Sequence, residues 1–155
     1  MLRTDGQRLD RNEELHVNRV DLQQLADLRI AEASALLTLA IPMPDGAYYL
    51  AGYAVECALK ACIARRYSAE TWPEKKFVAD CHTHDISTLV RLAGLEQDRM
   101  MDVVGNLQLG QNWTIVKDWS EQSRYERHSQ VAAEKLYDAV ADANHGVLPW
   151  IKVRW

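Results

Sequence analysis

The sequence predicts an all-α domain, an up-and-down antiparallel bundle of four to five helices. Only 7 Gly and 4 Pro punctuate the 155 residues, too few for a sandwich or barrel, which needs a turn roughly every 8 to 12 residues. Apolar residues recur at helical spacing in segment after segment. The balance of 48% apolar and 26% charged residues is that of one globular domain, able to bury about two thirds of its unfolded surface without a disulfide or metal.

Residues 1–18 are polar and mixed in sign, with few apolar side chains beyond Leu2, Leu9, Leu15 and Val17. They read as an arm preceding a bundle over 19–155. Helix one follows from Arg19, with Leu22, Leu25, Ala26, Ala33, Leu36 and Leu37 on its face, until Pro42 and Pro44 stop it. Helix two opens at Asp45-Gly46. Its close-set Ala47, Ala51, Ala54, Ala58 and Ala61, with Leu50, Val55, Leu59 and Ile63 on further sides, make it the buried central helix. A polar loop is expected over 68–84. Ile86, Leu89, Val90 and Ala93 form a short helix three, ended by Gly94 as a left-handed cap. Met100, Val103, Val104 and Leu107 supply the face of helix four, with Gly105 inside it. A second loop, from Gln108 to about Gln122, holds Trp113 and Trp119. The last helix carries Val131, Leu136 and Val140, and Gly146 closes it before VLPWIKVRW.

The formal charge of −4 argues against a bulk-electrostatic, histone-like nucleic-acid binder but leaves room for a local basic patch. Lys60, Arg65, Arg66, Lys75 and Lys76 form such a stretch. It is either a solvated helix end or, with Trp72, a phosphate-tracking surface with a stacking ring. Cys57 and Cys62 lie five apart on one helix, about 140° apart around its axis, so they do not bridge. No CxxC occurs. The polar start lacks the apolar core of a signal peptide, and Ala33 to Ile41 falls far short of a membrane span. A cytoplasmic location is therefore expected, with no membrane partner.

Three stretches carry a family resemblance: DGAYYLAGYAVECALKACIARR (Asp45 to Arg66), HDISTLVRLAGL (His84 to Leu95), and Trp119 with Arg124-Tyr125 ahead of GVLPWIKVRW. Over residues 20 to 155 the chain resembles bacterial HEPN-domain proteins. The resemblance implies a helical bundle that commonly forms homodimers. It also implies either a metal-independent ribonuclease of toxin–antitoxin or defence systems, or a non-catalytic module that binds RNA, a nucleotide, an antitoxin or a nucleotidyltransferase partner. Catalytic members carry Arg, four to six residues, then His. Here Arg124 and His128 stand at the corresponding place with three residues between them, and Arg11 to His16, spaced by four, precedes the bundle. No cofactor is expected.

Metal-free RNA cleavage needs a base for the 2′-hydroxyl proton and a cation for the phosphate. Histidine and arginine suit these tasks. Arg124, His128 and Glu56 are therefore the candidate catalytic residues. If Ser123 and Glu126 form a capping box, Arg124 and His128 share one face of the last helix. If Ser129 is the N-cap, both lie in a loop. Glu56 interrupts the apolar band of helix two, either as an i,i+4 partner of Lys60 or as a buried acid holding an Arg or His. Arg124 could equally pair with Glu56 as a structural lock. Cys81-His82-Thr83-His84-Asp85 holds metal-ligand residue types, but reads more simply as the start of helix three, capped by Asp85 or Thr83. The tryptophans read as lids over bundle ends, with Trp150 and Trp155 as alternative dimer contacts.

Overall fold

A computed structural model describes residues 17–67 and 72–155; the arm at 1–16, with Arg11 and His16, lies outside the described residues. Among the described residues there are eight α-helices, one 3₁₀ turn and no strand. The all-α class stands, but the expected count of four to five helices is too low. The helices are α1 (Arg19–Leu37), α2 (Pro44–Arg66), α3 (Lys75–Cys81), α4 (Ile86–Leu92), α5 (Glu96–Gly105), α6 (Leu107–Val116), α7 (Gln130–Ala141) and α8 (Val147–Lys152), with the 3₁₀ turn at Glu121–Tyr125.

Helix α1 starts in a reciprocal capping box. The Asn18 side chain accepts from the Asp21 amide at 3.1 Å, and Asp21 Oδ2 accepts from the Asn18 amide at 2.9 Å, satisfying two donors the helix leaves open. Helix α2 opens on Pro44, whose fixed φ suits a first turn and whose missing N–H is not needed there. Ala26 and Ala33 of α1 and Ala47, Ala51, Ala54 and Ala58 of α2 are fully buried. Side chains this short let the two helices approach closely. Helix α2 also packs against α4, α7, α8 and the 3₁₀ turn, so the core is built around it.

The expected helices two and three, α2 and α4, are neither consecutive nor antiparallel, since α3 lies between them. His84, just before α4, meets Glu56, while the Leu92 carbonyl at the end of α4 accepts from Arg66 Nη1 at 3.0 Å. Helix α4 therefore runs alongside α2 in the same direction. Helix α7 likewise begins beside the first turn of α2, where Asp45 meets His128.

Both segments expected to be loops contain helices. Helix α3 lies in the first. The second holds α6, whose Leu109, Asn112, Trp113 and Val116 are buried at i, i+3, i+4 and i+7, so Trp113 is a helical core residue. The Asn106 side chain starts α6 by accepting from the Leu109 amide at 3.0 Å. Gly105 ends α5 rather than sitting inside a longer helix, and only Val103 of the expected face packs on the core. Met100, Val104 and Leu107 are 60%, 87% and 76% exposed. VLPWIK forms α8. Gly94 is the one described residue with positive φ, at 71°, as a left-handed cap requires.

Candidate functional site

Helix α2 presents Glu56 on the side facing α4. The carboxylate is only 2% exposed, and its Oε1 takes Lys60 Nζ at 2.8 Å and His84 Nδ1 at 2.9 Å. Both readings of Glu56 thus meet: it pairs with Lys60 one turn on, and it is a buried acid holding a histidine. That histidine is His84, not His128. An ionised carboxylate only accepts, so Nδ1 of His84 carries the proton and Nε2 is left as the basic nitrogen. The His84 side chain is 46% exposed, and Nε2 has no protein partner among the described residues. Oε2 of Glu56 is buried without a hydrogen-bond partner among the described residues.

The start of α4 holds His84 in place. Asp85 Oδ1 accepts from the Thr88 amide at 2.7 Å, and Thr83 Oγ1 accepts from the Asp85 amide at 3.1 Å. With Asp85 engaged as the cap and His84 on Glu56, the metal-type cluster is divided among other tasks. Among the described residues no group of three or more His, Cys, Asp or Glu is arranged to hold a metal. Around Glu56, burial pushes the Tyr53 phenol up to about 12 and the Cys57 thiol up to about 11. Both stay protonated near neutral pH, which leaves Cys57 a poor nucleophile.

The 3₁₀ turn carries Arg124. Ser120 caps it, and Ser129, not Ser123, caps α7 by accepting from the Ala132 amide at 3.1 Å. Arg124 and His128 therefore lie in the turn and loop before α7. The exposed Arg124 guanidinium lies over the Tyr125 ring at 4.9 Å. His128 turns the other way. Its ring stacks on Tyr48 with centroids 3.7 Å apart and planes 7° from parallel, and its side chain is 11% exposed. The His128 amide donates to Asp45 Oδ1 at 2.6 Å, and Arg127 Nη1 donates to Asp45 Oδ2 at 3.0 Å. Asp45 thereby clamps the loop onto the first turn of α2, and the His128 amide is the main cause holding its carboxyl below the usual range.

No hydrogen bond or ion pair joins Glu56 to Arg124 or His128 among the described residues. Glu121, at the start of the turn, lies within electrostatic reach of both His84 and Arg124. His84 is the site residue that sequence reasoning assigned elsewhere. The signal was present in its place one residue ahead of the Asp85 cap, with Glu56 an acid in an apolar band in need of a partner. Trp150, read as a lid over a bundle end or alternatively a dimer contact, packs within the chain: its Nε1 donates to Asp102 at 2.8 Å, and its ring meets Trp113 edge-on at 5.5 Å. Trp155 is tied back through its carbonyl, which accepts from Arg19 Nη2 at 2.8 Å. Among the described residues no helix is long and apolar enough to cross a membrane. No family model, curated protein or solved structure matches the chain.

Proposed function

We propose that this chain is a HEPN-type helical bundle that acts as a homodimer on RNA, cleaving it without a metal ion in a toxin–antitoxin, defence or nucleotidyltransferase-linked system. One observation carries the reading: a buried carboxylate fixes the tautomer of a half-exposed histidine, with a lysine on the same oxygen. In this scheme Nε2 of His84 takes the 2′-hydroxyl proton, and the freed oxygen attacks the adjacent phosphorus. The 5′-oxygen leaves with that proton, returned from His84 through water, and a 2′,3′-cyclic phosphate remains. Glu56 steadies the imidazolium formed on the way, and Lys60 and Arg124 offset charge on the phosphate. Trp72, 92% exposed and close in sequence to the exposed Lys75 and Lys76, adds a stacking ring of the kind single-stranded RNA uses.

A second reading, a catalytically silent module for a partner protein or nucleotide, is favoured by His128. The residue that the resemblance makes the base is stacked on Tyr48 and anchored by its amide, which suits a fastener better than a proton acceptor. The test is RNA cleavage by purified protein in EDTA, with cyclic-phosphate ends identified. His84→Asn keeps a donor toward Glu56 but removes the basic nitrogen, and should lower the rate about 10²–10⁴-fold. Full activity in this variant overturns the His84 assignment. Absence of cleavage by the unmodified protein at any concentration, together with co-purification of a neighbouring gene product, establishes the module.

A further inference from the structure

Three arginines meet in a basin at the end of the α2–α4 seam. Arg65 and Arg66, both exposed, close α2, and Arg154 reaches in from the C-terminal segment, with Gly94, Cys62 and Asp98 completing the walls. Each guanidinium is held by a main-chain carbonyl. Arg65 Nη1 donates to the Arg154 carbonyl at 3.0 Å, Arg66 Nη1 to the Leu92 carbonyl at 3.0 Å, and Arg154 Nη1 to the Trp150 carbonyl at 2.7 Å. Arg154 is neutralised by Asp102 at 2.7 Å and lies 3.7 Å from Asp98. Arg65 and Arg66 have no carboxylate partner among the described residues. Among the described residues they present two cations with no carboxylate at bonding distance, their forks oriented in advance and most of their donors unused. Burial keeps the Cys62 thiol protonated by pushing it up to about 11, so it adds no opposing charge. Gly94 leaves the space that Arg66 occupies: a Cβ there would lie 2.2 Å from Arg66 Nη1.

We infer that this basin binds a phosphodiester of a single-stranded RNA, one that flanks the strand's contact with His84. The inference rests on the RNA reading above. Arg65 is nine positions beyond Glu56 on the same helix, about 14 Å along it and about half a turn around it, with Arg66 about 80° from the Glu56 side. Helix α4 runs the same way beside it, from His84 to the Leu92 carbonyl under Arg66. A strand that passes Lys60 and His84 and then crosses the end of α4 at Gly94 places one phosphate at the first pair and a later one between Arg66 and Arg65.

The probe is a 2′-O-methyl RNA decamer, which lacks the attacking hydroxyl, titrated into the full chain and into Arg65→Gln/Arg66→Gln. Anisotropy reads the affinity, and amide NMR reads the site. The decamer should shift the Gly94 amide. The double variant should bind it about tenfold more weakly and lower the log–log salt slope by about 0.7 to 1.4, one to two phosphate contacts. Unchanged melting shows that the variant is folded; if it melts early, Arg65→Gln alone, which leaves the Leu92 carbonyl capped, carries the comparison. Unchanged affinity, no binding by the unmodified chain, or equal binding of a charge-matched heparin fragment overturns the basin. A dinucleotide too short to reach Arg65 separates the two ideas. Its cleavage should depend on His84 and not on Arg65 or Arg66, and its resistance to the unmodified protein counts against the ribonuclease reading while the decamer result still judges the basin.

Discussion

Glu56 joins two helices through one oxygen. Glu56→Gln keeps an acceptor oxygen but removes the negative charge that Lys60 and His84 share, and both can turn toward water, since 22% and 46% of their side chains are exposed. The cost therefore falls below that of a fully buried pair. Glu56→Gln should destabilise the fold by about 1–3 kcal/mol in urea unfolding, and Lys60→Met, which leaves the buried carboxylate with His84 alone, by at least as much. A Glu56→Gln protein as stable as the unmodified one would show that the carboxylate does not hold the start of α4 to α2. The sequence marks Glu56 as out of place in an apolar band. Its partner is less legible, because a residue at a helix start has its direction set by the cap, and Asp85 and Thr83 were both available for that task. Arg124 and His128 illustrate the same limit. Their spacing invites one helix face, and the choice of Ser129 over Ser123 as cap moves both into the preceding turn and loop.

Helices α1, α2 and α4 were legible because each has an apolar face and a recognisable boundary: Pro42 and Pro44 after α1, Asp45-Gly46 at the start of α2, Gly94 after α4. Helix α6 was hidden by Gly110 and by polar residues between its core positions, although Leu109, Trp113 and Val116 keep the period. The segment after it shows how one element positions another. Trp119 is 2% exposed and lies directly on Gly52 of α2, where a Cβ would stand 2.2 Å from the indole Cδ1. The same ring lies 6.0 Å from Tyr49. Gly52→Ala must push Trp119 outward, with a cost of about 1–3 kcal/mol or more for overpacking, and with it the adjoining turn at Glu121–Tyr125. The expected result is a lower Tm together with changed near-ultraviolet circular dichroism from the displaced indole. A Gly52→Ala protein with unaltered Tm and spectrum would show that the close approach does not set the position of the turn.

At the level of the whole molecule, bundle ends are secured by carboxylates that accept from main-chain amides. Asp45 takes the His128 amide, and Asp142 takes the His145 and Asn144 amides at 2.6 and 3.0 Å, ahead of α8. These amide bonds are the main cause holding both carboxyls below the ordinary 3.8. A carboxyl whose folded pKa is depressed binds protons more readily in the unfolded chain. Its contribution is therefore present in full above about pH 4 to 5 and is lost as the pH falls through the depressed folded value. The bundle should keep a nearly constant Tm from pH 7 to about 5 and lose stability steadily below 4. Asp45→Ala releases the 126–129 loop from the first turn of α2, so its Tm should lie below that of the unmodified chain at pH 7. The gap should narrow toward pH 2, where Asp45 is itself protonated. Thermal melts of both proteins across that range decide the matter: a gap that stays constant down to pH 2 would mean that Asp45 acts through shape and not charge, and that the clamp on His128 is not what fails in acid.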